Sequence, residues 1–273
     1  MRSFIFHVTF LIFILISNSG AKACSVVYYI DKITGNIYVA NNEDYWYDTD
    51  AYIQIMPGTE KEYARLWYGW DDFAQGGVNE HGLFFDGAVT PGQMIPDGYG
   101  SPDDNLGDEI LAECKTVEEA LAFLEKKKIA LTNAHVMFGD SKGDAVVVEW
   151  IKGKKILSRI NDNKLVMTNF LLSDTTSGNF PCYRYNSIED RIKTFENTKD
   201  TSSLLIVGNF LGQTAQTPKE IEDGKTGGTL YSTFIDITKM EFVLVYKLDN
   251  SKVIKLDLKK EFKKKSEREI ELK

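Results

Sequence analysis

Histidine and cysteine are both scarce in this chain of 273 residues, with three of each. An odd, sparse set of cysteines excludes a disulfide framework. Positive charge is also short: 32 Lys and Arg stand against 40 Asp and Glu, a net −8 that argues against nucleic acid as a partner. There is no internal repeat, no low-complexity segment and no obvious linker. Beyond the N-terminal stretch, no run is apolar enough to cross a membrane. After that stretch only His81 in "NEHGLF" and His135 in "NAHVMF" remain. Neither has an Asp or Asn at a telling spacing, so both read as structural or surface residues rather than as a catalytic base.

What the chain does have begins at its start. Arg2 precedes a nearly continuous apolar run, Phe4 to Ile16, which is short of the roughly 20 residues needed to span a bilayer. A small polar patch follows, and Ala21 and Ala23 then sit at −3 and −1 of a signal-peptidase site. Residues 1–23 are therefore expected to be removed, leaving 250 residues that begin at Cys24 and reach the periplasm or the outside of the cell. Loss of Arg2 and Lys22 takes the net charge from −8 to −10. At 43% hydrophobic and 12% aromatic, this mature chain is globular and long enough to bury a substantial core.

The pattern predicts a single α+β domain over 24–273. Strands 25–30 and 36–40 flank a turn with Gly35 at a left-handed position. Further strands are expected in 51–58, 62–70 and within 76–92, with a loop over 93–107. Apolar spacing in "DEILAECKTVEEALAFLEKK" predicts a helix over 108–127, with Cys114 in its core face. A strand pair turning at Asp140–Gly143, a strand at 164–170, helices within 185–197 and 200–214, and a hairpin over 229–247 complete the outline. Residues from about 257 to 273 form a mixed-charge tail, read as a solvated helix or a frayed end. Cys182 reads as a loop residue, and one bridge between it and Cys114 stays open.

Cys24 stands apart from the other two cysteines. A thiol near pKa 8.5 is mostly protonated at neutral pH, and the thiolate is the nucleophile. A cysteine at a mature N-terminus carries its own base, an α-amine with a reference pKa of about 7.7–8.0. Cleavage of the leader would thus create the catalytic amine, and the uncut chain would be inactive.

Six segments in order carry a resemblance: Cys24 before a hairpin, then "ANNEDYW", "GGVNEHGLFFDGAVTPG", "TVEEALAFLEK", "FGDSKGDAVVVEW", "VMTNF" and "CYRYNSIEDRI". Together they resemble the N-terminal-nucleophile cysteine hydrolases of the choloylglycine hydrolase and penicillin V acylase group, with their acyltransferase-like and linear-amide relatives. That resemblance covers most of the mature chain. It implies a four-layer αββα sandwich and cleavage of a non-peptide carbon–nitrogen amide bond, with no metal or organic cofactor. Cys24 would be nucleophile and amine base. Asp44 matches the acid that orients the amine, Asn169 the side-chain donor to the oxyanion, and Arg184 a late arginine near the nucleophile. Val89 falls where the group has its second oxyanion donor, and here would offer its backbone N–H. Asn41 and Asn42 fall on the polar pair beside the site and are grouped with substrate contacts. The group's Gly-Arg-Asn-x-Asp has Asn41 in place of Arg, which turns the reading from bile salts and penicillin V toward the acyltransferase-like or linear-amide branch.

The expected partners are a small-molecule acyl amide and the signal peptidase, with no nucleic acid and no stable membrane insertion after cleavage; oligomerisation stays open. Tyr45, Trp46, Trp67, Tyr68 and Trp70 are candidates for an acyl pocket, though packing is the plainer role for each. Two rivals belong to another class. One is a lipid-anchored binding protein acylated at Cys24, disfavoured by Ala21 at −3 and Lys22 at −2. The other is an inactive relative that binds acyl amides.

Overall fold

The computed structural model describes residues 24–102, 104–176, 178, 180–222 and 224–273. The leader reading, residues 1–23, lies outside the described residues. The chain opens with β1 (Ser25–Ile30), β2 (Ile37–Trp46), β3 (Tyr52–Met56), β4 (Arg65–Trp70), β5 (Phe73–Asn79) and β6 (Phe84–Val89). Helices α1 (Leu106–Glu113) and α2 (Val117–Lys127) follow, then β7 (Ala134–Gly139), β8 (Ala145–Ile151), β9 (Lys154–Arg159) and β10 (Lys164–Met167). The last third comprises α3 (Tyr183–Thr198), α4 (Leu204–Phe210), β11 (Lys219–Glu222), β12 (Lys225–Asp236), β13 (Glu241–Tyr246), β14 (Val253–Asp257), α5 (Leu258–Glu261) and β15 (Arg268–Glu271).

The strands form two antiparallel sheets. One runs β10-β1-β2-β12-β13-β14, with β11 beside β12; the other runs β15-β3-β4-β5-β6-β7-β8-β9. The inner faces share one apolar core that includes Val26, Tyr28, Ile53, Leu66, Met137 and Phe242. The outer face of the second sheet packs Phe85, Phe138 and Val148 against α1 and α2 through Leu111, Leu121 and Leu124. The outer face of the first packs Val27, Tyr29 and Val166 against Ile188, Ile192 and Phe210 of α3 and α4. The result is the αββα sandwich. It also explains why "SVVYYI" lacks alternation: β1 buries both faces, and each fully buried apolar side chain contributes about 1.5–3 kcal/mol.

Several expectations change. The helix expected over 108–127 is two helices, because Cys114 is extended (φ −111, ψ 146) and Thr116 caps α2 by accepting from the Glu119 N–H. The pair expected over 133–160 is three strands, with a second turn at Lys152 and Gly153. The charged tail is neither frayed nor a plain helix. It leaves β14 of the first sheet, forms the short α5, and supplies β15 to the edge strand β3 of the second, with Leu272 buried. Its alternation of Glu and Lys with Ile and Leu suits an edge strand with one wet face. Cys114 and Cys182 are free, buried residues of different helix layers, so no bridge joins them: Cys114 lies in the α1–α2 core, whereas Cys182 precedes α3. Among the described residues, no helix is long and apolar enough to cross a membrane.

Candidate active site

Cys24 immediately precedes β1, buried between the sheets. The β1–β2 hairpin sets the register Ile30↔Ile37 through Ser25↔Asn42, so continuing one residue places Cys24 opposite Glu43. Residues opposite one another in an antiparallel pair share a face. The Cys24 thiol accordingly donates to Glu43 Oε1 at 3.1 Å. Burial pushes the thiol pKa well above its ordinary value, the Glu43 and Asp44 charges add to this, and a backbone hydrogen bond from Asp44 pulls the other way.

Asp44, which the resemblance matches to the acid that orients the amine, falls beyond the strand expected over 36–40. It lies instead within β2, which runs on to Trp46. Its Oδ1 accepts from Thr229 Oγ1 at 2.5 Å, and its Oδ2 is buried with no hydrogen-bond partner among the described residues. Burial raises this carboxyl to about 7, against the pull of Thr229 and Arg184.

Asn169 follows β10, and Arg184 is in the first turn of α3. Arg184 Nη1 donates to the Cys24 carbonyl at 2.7 Å and to Ser25 Oγ at 3.2 Å, while Nη2 donates to Asn169 Oδ1 at 2.9 Å. One rigid guanidinium thus ties the nucleophile's backbone to the amide of Asn169. Asn169 is thereby oriented with Nδ2 donating to the Val89 carbonyl at 2.8 Å. Val89, at the end of β6, meets Asn169 through its carbonyl and is 43% exposed.

Strand alternation separates the two asparagines. Asn41 shares the inner face with Glu43, its Nδ2 reaching Glu43 Oε2 at 3.4 Å. Asn42 points the other way. It donates to the Leu211 carbonyl and Thr214 Oγ1 and accepts from Ser232 Oγ at 2.7 Å, which fastens β2 to the segment after α4 rather than facing the thiol.

His135 is buried and structural in its contacts. Nδ1 faces Glu149 Oε1 at 2.9 Å and Nε2 faces the Thr168 carbonyl at 2.6 Å; both partners are acceptors. Glu149 also accepts from the Leu172 and Ser173 N–H groups. Burial works against its charge, yet the bonds from His135 and Ser173 hold its carboxyl below the usual range. The segment on either side of Asn169 is thereby bonded to β7 and β8. His81 is exposed and packs edge-on against Tyr63.

Three features went unread in the sequence. Glu43 holds the variable position of the Asn-x-Asp pattern, and only the hairpin register reveals that it faces Cys24. Asp86 on β6 and Tyr68 on β4 sit across from it, joined by a 2.8 Å hydrogen bond from the phenol to Oδ2. A Cβ on Gly76 would fall 2.5 Å from Asp86 Oδ2, so a glycine is needed behind this pair. Finally, a cavity of about 160 Å³ is lined by Cys24 and Glu43 together with Phe73, Phe85, Phe138, Leu106, Ile110 and Leu131. These phenylalanines form its aromatic wall, and the candidate tyrosines and tryptophans do not line it. Trp67, Tyr68 and Trp70 are buried packing residues, and Tyr45 stacks on Trp70 at 4.3 Å. A larger open depression on the outer face of α3 and α4 is lined by none of the site residues.

Two stacked sheets with Cys24 buried between them, Arg184 joining its carbonyl to the Asn169 amide, and helices on both outer faces give the αββα sandwich of the N-terminal-nucleophile fold. Residues 32–246 match the family described as acyl-coenzyme A:6-aminopenicillanic acid acyl-transferase, and the chain belongs to that family. Solved structures share the fold. A variant of conjugated bile acid hydrolase from Clostridium perfringens aligns at TM-score 0.72 and 18% identity, over 90% of this chain and 96% of that one. Penicillin V acylase from Agrobacterium tumefaciens aligns at 0.66 and 19%, over 90% of both chains. The Caenorhabditis elegans ortholog of N-acylethanolamine-hydrolyzing acid amidase aligns at 0.54 and 12%, over 78% of this chain and 93% of that one. No curated protein matches the chain by sequence.

Proposed function

We propose that the protein is an exported cysteine amidase that cleaves a small acyl amide through a thioester on Cys24. The observation that carries this reading is the Cys24–Arg184–Asn169 arrangement, in which one guanidinium joins the carbonyl of a cysteine lining an apolar cavity to a side-chain amide suited to an oxyanion. Removal of residues 1–23 by signal peptidase would free the Cys24 amine, and the buried, unpartnered Asp44 Oδ2 is an acceptor suited to it. In the reaction, sulfur attacks the acyl carbon and Asn169 Nδ2 stabilises the oxyanion. The Cys24 ammonium protonates the leaving nitrogen, and water then hydrolyses the thioester. A donor such as Asn169 contributes on the order of 3 kcal/mol to the transition state.

The cavity sets the acyl group. An apolar space of about 160 Å³ suits a phenyl ring or a short alkyl chain, being close to the roughly 150 Å³ that accommodates benzene elsewhere. Phenylacetyl and hexanoyl amides are the substrates of choice. Transfer to an amine acceptor instead of water is the second reading, favoured by the description of the matching family.

The experiment is intact mass of the exported protein, followed by turnover of phenylacetyl and hexanoyl p-nitroanilides with and without an added amine. A mass beginning at an unmodified Cys24, with activity abolished in Cys24→Ala and sharply reduced in Cys24→Ser, is expected. A lipidated Cys24, or full activity in either variant, overturns the reading.

A further inference from the structure

The buried carboxylate against the sulfur has no part in the reaction just described. Glu43 Oε1 is 3.1 Å from Cys24 Sγ, and the side chain is 4% exposed and lines the same cavity as the thiol. Among the described residues no Lys, Arg or His forms an ion pair with it; the nearest donor besides the thiol is Asn41 Nδ2 at 3.4 Å. A structural carboxylate buried this deeply is ordinarily matched by a cation or by several N–H donors. Glu43 has instead an acidic hydrogen from the nucleophile.

We propose that Glu43 is a catalytic residue, the proton acceptor for the Cys24 thiol, and that the α-amine handles the proton on nitrogen and water. This deepens the amidase reading and rests on it. In acylation the S–H proton passes to Glu43 Oε1 as sulfur bonds to the acyl carbon. The C–N bond then breaks, and the Cys24 ammonium gives its proton to the departing nitrogen. In deacylation the now neutral amine takes a proton from the attacking water. The C–S bond breaks, and the sulfur recovers its proton from Glu43. One amide and one water become one acid and one amine, and both groups return to their starting states.

Charge accounting favours this division. Thiol beside carboxylate and thiolate beside carboxyl both carry one negative charge, so the transfer never places two anions at 3.1 Å. Loss of the thiol proton to any other base would do so inside a dry site. The groups facing Glu43 fit the same picture. Asp44 lies on its own strand, Cys24 just before β1, Tyr231 on β12, and Tyr68 and Asp86 on β4 and β6 of the opposing sheet. Burial raises Glu43 to about 7, the bonds from Cys24 and Asn41 partly offset this, and Asp44 adds to it. Burial and the neighbouring Glu43 charge hold the Asp86 carboxyl well above the usual carboxylate range. A base poised near neutral pH is where proton transfer is most effective.

The test is the acylation rate of the mature protein on phenylacetyl and hexanoyl p-nitroanilides across pH 5–9, read as p-nitroaniline release and as acyl-Cys24 by mass after acid quench. Glu43→Gln is expected to slow acylation about 10²-fold and to abolish the rise in rate as pH climbs through about 7. Glu43→Asp, with its carboxylate withdrawn by one methylene, is expected to recover part of the rate and to keep the rise. Acylation of Glu43→Gln within about threefold of wild type, or faster, overturns the proposal and leaves the carboxylate as a mere repulsive neighbour. If Glu43→Gln fails to fold, Glu43→Asp decides: an unchanged rate overturns the proposal. A wild-type protein that acylates on neither substrate overturns this inference and the amidase reading together, whereas a wild type that acylates normally isolates the failure to Glu43.

Discussion

Arg184 is the residue on which the most geometry converges. Its two terminal nitrogens serve different partners, the Cys24 carbonyl and Asn169 Oδ1, in a buried site. Lysine offers a point charge in place of the fork. Arg184→Lys is therefore expected to lower kcat for p-nitroanilides on the order of 10²-fold with KM little changed, because a donor to the oxyanion works only in the transition state. Steady-state kinetics check this; a change confined to KM would place Arg184 in ground-state binding. Glu43 makes a second prediction, on stability. Burial raises its folded-state pKa from 4.5 to about 7, so between those values the folded protein binds a proton that the unfolded chain has released. This contribution to stability is intact below about pH 4.5, falls as pH rises, and levels off above about 7. Glu43→Gln should be more stable than wild type at pH 8, on the order of 2–3 kcal/mol, and little different at pH 4. Thermal melts at the two pH values measure it. At this scale the sequence singled out Cys24, because a thiol behind an expected cleavage site has a chemical meaning. Glu43 stayed hidden, because its meaning depends on what stands across the hairpin.

Among the elements, α1 and β6 decide what the cavity accepts. Gly107 in the first turn of α1 lies against the Phe85 ring, and a Cβ there would stand 2.1 Å from the ring carbon Cζ. Gly107→Ala must displace either the helix or the ring, and the ring borders the cavity. The expected result is a loss of about tenfold or more in kcat/KM for the phenylacetyl substrate, with acetyl p-nitroanilide affected much less. Equal losses on both would mean that α1 and Phe85 do not set acyl choice. The sequence could not place this wall. Phe73, Phe85 and Phe138 come from three strands of a sheet whose order is fixed by pairing, not by proximity in the chain. Helix termini were also hard to read: apolar spacing runs smoothly through Cys114, and only the Thr116 cap marks the break.

For the whole molecule, the C-terminal segment is a clamp. β14 completes the first sheet, and β15 crosses to pair with β3 at the edge of the second, burying Leu272. Deletion of residues 266–273 removes that strand and uncovers the hydrogen-bonding edge of β3. The truncated protein should unfold several degrees lower and show greater self-association by light scattering, while the acylation rate per folded molecule at 20 °C stays near wild type. An unchanged melting temperature would show the tail to be dispensable. Charge alone made this segment look solvated, since seven basic side chains over 257–273 conceal the alternating Ile270 and Leu272. Local sequence determined most strands and helices, because these depend on periodicity, caps and turns that neighbouring residues settle among themselves, and six short segments in order carried the resemblance that implied the αββα class. Tertiary structure alone decided that a glutamate faces the sulfur, that one arginine joins Cys24 to Asn169, and that phenylalanines wall the cavity. The two contacts of Cys24, with Glu43 and Arg184, join residues 19 and 160 positions apart, and only strand register and sheet order bring such residues within reach.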